Sequence, residues 1–495
     1  MERVDSVGFP EDVVVDDFAA ATTPRPGLAT RRKGRHADRS ADLGSPTDSG
    51  RTTTTTARSH SQGAPGAQTI SGTRNQALWL ATLGIFGGFA GVSVFGPLVP
   101  KFTELLDLSP FAAGMLAAIP ALTGSLLRIP FGAAVERDGG RKPFLVLLLI
   151  TNVGVVGLLA LLGTSYPDSM QGSYPLLLVL GALIGCGIAT FSVGIGQVSY
   201  WFPRRNQGGA LGVYAGLGNT SPGLSSLLLP LAVGAMGMLG AYTVWFAVLL
   251  CVTLVYGIFI KDAPWFQLKQ HGVSVPAEEL AALGGGELAP TSGAWAGLRL
   301  AARIPATWML VFFYFLSFGG FLAFTAWLPT FWSSMYGSSL AVAGGLTASF
   351  SLLSAVIRVP GGLLSDRVSI RYALPGNFLL MFAGTIVLSF SRAFALSLIA
   401  TLTVAAGMGL QNAIVFKLLP RYVPEAVGGA SGWIGGLGAL GGFVIPPVMG
   451  VVAGVVGGTD GYARGFLPFA GLVLVALPLV VVLSRWSRRH GYGLV

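Results

Sequence analysis

Two arginines stand where charge is hardest to accommodate. Arg128 lies inside the apolar stretch 121–132 and Arg358 inside 354–367. Each opens the pattern Arg-x-Pro-x-Gly, the second copy 230 residues after the first. A guanidinium cannot shed its proton at any accessible pH. Each therefore carries a fixed charge into an apolar run, at about 2.5–3.5 kcal/mol on insertion scales for a helix centre. No Asp, Glu or His falls within the apolar runs to neutralise either one. Two buried cations without a protein anion ask for an anion from outside. At about 8 Å apart they would repel by roughly 2 kcal/mol at an effective dielectric of 20, and a bound monoanion relieves part of that. The planar guanidinium fork matches flat oxygens in pairs, which an ammonium does not. A small planar oxyanion therefore suits the pair better than phosphate, a divalent tetrahedral ion that draws more donors.

Holding such a pair requires membrane-spanning helices. Of the 495 residues, 52% are hydrophobic and 11% charged, against about 25% charged in soluble domains. A crossing takes about 20 apolar residues. Runs of that kind cover approximately 77–99, 111–135, 143–164, 174–202, 209–236, 241–260, 306–332, 340–365, 372–391, 393–419, 427–455 and 465–485. The pattern predicts an all-α membrane protein with twelve transmembrane helices in two six-helix repeats; a closed barrel would show short alternating segments instead.

The expected organisation is a disordered tail over 1–73, a six-helix half over 74–260, a central loop over 261–303, a second half over 304–487 and a short C-terminus over 488–495. The net charge of +10 is no nucleic-acid signal, because Lys and Arg gather on one set of loops, among them Arg137, Arg141, Lys142, Arg204, Arg205, Lys261, Arg303, Arg371 and Arg421. The opposite loops carry Lys101, Arg392 and Arg464. By the positive-inside rule both termini and the central loop are expected in the cytoplasm of a cell-membrane protein. The tail has no apolar h-region, so it does not read as a signal peptide. Cys186 and Cys251 fall within spans and are expected to be free thiols.

The halves repeat in further places. Glu136-Arg137 and Asp366-Arg367 keep the 230-residue offset of the arginines. Gly208, Gly212 and Gly216 match Gly428, Gly432 and Gly436 at an offset of 220, with Gly218 and Gly438 just beyond. In lipid, glycines at i, i+4 and i+8 give a smooth helix face on which a neighbour can slide or tilt, although generic close packing uses them too. Two parallel repeats with a site between them describe an alternating-access carrier. Glu136, Arg137 and Arg141, with Asp366 and Arg367, sit near helix ends and are suited to latching one face shut; solvated turns are the plainer alternative.

The loop GAAVERDGGRK (132–142) resembles the cytoplasmic loop signature of the major facilitator superfamily, with Glu136 for the usual Asp and one extra residue before the final basic pair. The stretch YWFPRRNQGGALGVYAGLGN (200–219) is similar to the nitrate signature of the nitrate/nitrite porter family within that superfamily, and 432–446 is similar to its partner in span eleven. The resemblance covers the chain from about residue 77 onward. It implies that Phe191 and Phe318 sandwich a flat anion, that Tyr314 donates a hydrogen bond to it, and that Asn219 lines the site. Tyr314 and Phe318, four residues apart, share a helix face.

No metal cluster, nucleophile–base pair or nucleotide loop is visible, so neither an enzyme nor a cofactor is expected. The reading is a monomeric carrier of nitrate and nitrite in a lipid bilayer. A proton-driven carrier normally needs an intramembrane Asp, Glu or His. Without one, returning an empty pocket with two uncompensated cations is costly, which favours nitrate/nitrite exchange over nitrate/proton symport. An organic-anion or phosphate exchanger, and an anion sensor that signals through the tail, are the remaining readings.

Overall fold

The computed structural model describes residues 71–270, 293–367 and 370–490, apart from the side chains at 204–205, 294, 359–360 and 362–371. The expected tail and most of the central loop lie outside the described residues. Among the described residues, eleven apolar helical runs are long enough to cross a membrane. The fifth, Asn206–Phe259, has 54 residues. At 1.5 Å per residue that is about 80 Å of helix, against a hydrocarbon core of about 30 Å. It is divided at Gly237, whose φ of 75° and ψ of 173° suit a residue without a Cβ. Eleven runs therefore make twelve crossings, as the sequence pattern predicts.

Numbered in chain order, the crossings are α1 (Arg74–Leu106), α2 (Pro110–Asp138), α3 (Arg141–Ser165), α4 (Tyr174–Ser199), α5 (206–236), α6 (238–259) and α7 (Pro305–Tyr336). The rest are α8 (Leu340–Arg367), α9 (Ile370–Phe390), α10 (Phe394–Tyr422), α11 (Pro424–Val456) and α12 (Leu467–Arg489). Local signals set their ends. Ser109, for example, accepts a hydrogen bond from the Ala112 N–H and is followed by Pro110 in the first helical position, which starts α2. Cys186 and Cys251 are free thiols, as expected.

The two halves meet closely at the end that carries Lys101, Arg392 and Asp460. There α2 lies on α11, where a Cβ on Gly114 would fall 2.6 Å from the Pro446 carbonyl oxygen, and Gly450 abuts the Pro110 carbonyl. On the other side α8 lies on α5, with Gly344 against the Ser226 carbonyl. At the opposite end Gly208, Gly212 and Gly216 of α5 face open space. The halves are in close backbone contact at the first end, whereas this glycine row of α5 has no neighbour against it.

The α2–α3 loop at the opposite end is held by the segment that follows α6. Gly139 has φ 80°, and a Cβ on it would lie 2.5 Å from Asp262 Oδ1. Asp262 accepts a hydrogen bond from the Arg141 N–H at 2.9 Å, which caps α3. The Arg141 guanidinium donates to the Gly257 carbonyl at 3.0 Å, and Lys269 Nζ donates to the Arg137 carbonyl at 3.3 Å. Burial pushes the Asp262 carboxyl up from the ordinary carboxylate value, against the opposing pull of the Arg141 N–H, Gln270 and the charges on Arg141 and Lys142. A carboxyl raised on folding loses stability as it ionises, so this cost is present above its folded pKa and fades as pH falls through it. Asp262→Asn keeps an oxygen for the Arg141 N–H without the charge. It is expected to melt at or above the wild-type temperature at neutral pH, with the advantage shrinking as the medium is acidified. Asp262→Ala orphans that N–H and is expected to melt lower. Melting curves in detergent across this pH range check both.

Candidate anion site

The chain of α2 breaks where its arginine sits. Pro110–Leu126 and Arg128–Asp138 are separate helical segments joined at Leu127, and Pro130 has no N–H to offer the carbonyl four residues back. Arg128 is 0% exposed. Its Nη1 donates to the Gly435 carbonyl of α11 at 3.0 Å, which ties the two halves together. Its Nε and Nη2 have no partner. The guanidinium carbon lies 4.8 Å from the ring centre of Phe191, 5.0 Å from that of Phe318 and 5.9 Å from that of Phe89. Cation–π attraction, about 2 kcal/mol or more when desolvated, holds the charge in place without cancelling it.

Arg358 is half-buried, with Nη2 unpartnered and its guanidinium carbon 5.4 Å from the centre of the same Phe318 ring. The two guanidiniums are therefore at most about 10.4 Å apart and repel by at least about 1.6 kcal/mol at an effective dielectric of 20. Among the described residues neither makes an ion pair. The uncompensated pair read from the sequence is present in space.

Aromatic rings wall the site. The centroids of Phe89, Phe191 and Phe318 form a triangle with sides of 5.8, 6.2 and 6.2 Å. Tyr314 stacks on Phe318 at 4.9 Å and 8°. Its hydroxyl lies beside Arg358 yet makes no hydrogen bond of normal geometry. Every ring rests on irregular backbone. Phe89 abuts a 3₁₀ turn at Ala90–Ser93, Phe191 follows closely on one at Cys186–Ala189, and Phe318 lies in a π turn at Phe315–Gly319. A π turn shifts side chains off the α-helical register, and such turns recur at functional sites.

The structure thus brings together Arg128, Arg358, Phe191, Tyr314 and Phe318. Asn219 is buried, with Nδ2 bonded to the Ala215 carbonyl of its own helix at 2.6 Å and Oδ1 unpartnered. It makes no hydrogen bond to either arginine. The glycine ladders, equivalent in sequence, are not equivalent in space. Gly432 packs on Leu298, a Cβ on Gly436 would lie 2.6 Å from Ile129 of α2, and one on Gly438 would lie 2.7 Å from Tyr314. Gly218 similarly abuts Ile85, whereas Gly208, Gly212, Gly216 and Gly428 face open space. At Gly432 the difference comes from the short helix Ala294–Ala302, which lies against the near end of α11, where Trp433 Nε1 donates to the Leu298 carbonyl at 2.8 Å, and at Gly436 it comes from Ile129 of α2.

The latch residues also find local partners. Arg137 pairs with its neighbour Asp138 at 2.7 Å, Arg141 is bound as described above, and Glu136 keeps a buried Oε2 without a partner. Among the described residues no ion pair carries the loop to the other half. The side chains of Asp366 and Arg367 lie outside the described residues.

Sequence reasoning missed Phe89, for which a signal exists. Phe86, Phe89, Gly91, Phe95 and Pro100 in α1 recur 229 residues later as Phe315, Phe318, Gly320, Phe324 and Pro329 in α7. Phe89 is thus the counterpart of Phe318 in the first half.

A twelve-crossing bundle with an anion-seeking centre between two repeats defines a secondary carrier, and the comparisons with known proteins agree. The model of the Major Facilitator Superfamily matches residues 81–446. "Probable nitrate/nitrite transporter NarK2" of Mycobacterium tuberculosis is 31% identical over 83% of this chain and 95% of its own. "Nitrite extrusion protein" of Bacillus subtilis is also 31% identical, over 83% of this chain and 95% of its own. "Probable nitrate/nitrite antiporter NarK1" of Thermus thermophilus is 32% identical over 76% and 84%. Among solved structures, a bacterial homologue of the human lysosomal transporter Spinster aligns with a TM-score of 0.62 at 14% identity, over 83% of this chain and 97% of that one, which speaks to the fold alone. The chain belongs to the nitrate/nitrite porter family of the Major Facilitator Superfamily.

Lysine at either arginine position keeps the charge and removes the fork. Arg128→Lys and Arg358→Lys are each expected to reach the membrane at normal levels and to lose saturable anion uptake in reconstituted vesicles. Uptake like the wild type in either variant would contradict a forked contact.

Proposed function

We propose that this protein carries nitrate and nitrite across the cell membrane by alternating access, exchanging one for the other. One observation supports the anion most directly. The unpartnered atoms of the two guanidiniums beside the aromatic triangle are donors, Arg128 Nε and Nη2 and Arg358 Nη2, and the Tyr314 hydroxyl next to them can donate as well. A small, flat anion that only accepts hydrogen bonds complements that set, and the names of the relatives point to the same substrates.

The rings of Phe191 and Phe318 are 5.8 Å apart. These rings are tilted by 32°, and a flat ion held between two ring faces needs about 7 Å, two contact distances of about 3.5 Å, so the rings must move apart and closer to parallel to sandwich it. The distribution of Lys and Arg supports placing both termini and the α2–α3 loop in the cytoplasm, with the end that carries Lys101, Arg392 and Arg464 outside. We take the carrier to be a monomer.

Exchange follows from the charge. A bound monoanion lowers the site from two positive charges to one, so loaded reorientation is favoured over empty return. Glu136 supplies a second reading, because a buried carboxylate oxygen without a partner is the kind of group that takes up a proton. Vesicles with nitrate outside, and either nitrite or an inert buffer inside, separate the two. Exchange is expected to give rapid uptake only into nitrite-loaded vesicles, with little response to membrane potential. Fast uptake into nitrite-free vesicles under an inward proton gradient would establish symport instead.

A further inference from the structure

We propose that Tyr214 is a positioning residue for the anion site, holding Phe191 in place through its backbone. The proposal rests on reading Phe191 as part of that site. Tyr214 is on α5 and is 0% exposed. Its hydroxyl crosses to α4 and donates to the Thr190 carbonyl at 2.8 Å and the Phe191 carbonyl at 3.2 Å. Its ring lies 6.5 Å from the Phe191 ring, tilted by 36°.

Three features make this more than incidental packing. First, the contact is built for: Gly194, one turn on from Thr190, abuts the Tyr214 hydroxyl and ring so closely that no Cβ fits there. Second, it falls where α4 is least regular, directly after the 3₁₀ turn Cys186–Ala189. A carbonyl has two lone pairs, so an outside donor can fix such a segment without displacing its helical bonds. Third, α5 has two unlike faces. Ala210, Tyr214 and Gly218, spaced four apart, form a buried row, while Gly208, Gly212 and Gly216 form an open one. On the buried row Gly218 meets Ile85, one turn before Phe89. The row therefore supports two of the three rings around Arg128, and Tyr214 is its hydrogen-bonding member.

Tyr214→Phe keeps the ring and removes only the hydroxyl. Losing one buried hydrogen bond that acts through Phe191 is expected to raise the KM for nitrate about three- to tenfold, with the maximal exchange rate per incorporated protein within about twofold of wild type. Gly194→Ala, which displaces Tyr214 from the α4 side, is expected to raise KM in the same direction. The decisive measurement is a double-mutant cycle with Phe191→Leu in reconstituted vesicles. If Tyr214 acts through Phe191, adding Tyr214→Phe to Phe191→Leu leaves KM within about twofold of the Phe191→Leu value. Multiplying effects would overturn the proposal. So would a Tyr214→Phe variant whose melting temperature falls while its KM is unchanged, because that is a purely structural role. A KM unaltered by Phe191→Leu alone would reject the reading of the site itself. A raised KM in Phe191→Leu with none in Tyr214→Phe would reject the tyrosine assignment only.

Discussion

The structure depends on a charge that is held but not neutralised. Arg128 is fully buried, bonded once to a carbonyl of the opposite half and surrounded by three phenylalanine rings. Ring faces and a carbonyl attract a guanidinium, but neither carries a formal negative charge. With Arg358 over the same Phe318 ring, the centre of the bundle holds two positive charges with no ion-pair partner among the described residues. An anion is the partner proposed to complete it, and each half supplies one of the two arginines. The link from Arg128 to Gly435 also means that a movement between the halves must alter the surroundings of that arginine.

Backbone proximity makes the arrangement possible. Where α1 crosses α4, a Cβ on Gly88 would lie 2.6 Å from the Gly187 carbonyl oxygen; where α7 crosses α11, one on Gly319 would lie 2.6 Å from that of Gly438. Such crossings pull the rings into one small volume, while 3₁₀ and π turns at the same residues aim them inward. Glycine thus has different duties along the bundle: contact between helices at the end that carries Lys101 and around the site, open surface along α5. In the α2–α3 loop the described charges are engaged locally, by Asp138, Gly257 and Asp262.

Much of this was legible in the sequence, for identifiable reasons. Long apolar runs determine the crossings, and a duplicated Arg-x-Pro-x-Gly in an apolar setting has little use except an anion. Phe191, Tyr314 and Phe318 rested on family resemblance, since phenylalanine in a membrane helix is ordinarily packing. The π turn at Phe315–Gly319 was not legible, because one added backbone residue per turn leaves no mark in residue type. Phe89 was overlooked although the α1–α7 repeat points to it. The two glycine ladders looked equivalent because spacing cannot say which helix lies opposite; the short helix Ala294–Ala302 at Gly432 and Ile129 of α2 at Gly436 break that symmetry beside α11. Asp262 was invisible as the cap of α3, for it comes from a part of the chain remote from the loop it holds.

The central claim is that the buried positive charge is a liability which the anion relieves. Thermal unfolding of the purified protein in detergent, with nitrate titrated against gluconate at constant ionic strength, tests it most directly when wild type is compared with Arg358→Met. A ligand that binds only the folded state raises the melting temperature with its concentration, and removing a charge that has no ion-pair partner removes its desolvation cost. The expected result is a wild type stabilised by nitrate, beside an Arg358→Met variant that without anion melts at least as high as wild type and does not respond to nitrate. An Arg358→Met variant that melts lower and is still stabilised by nitrate would contradict the account, because Arg358 would then be a structural residue and the anion would bind elsewhere.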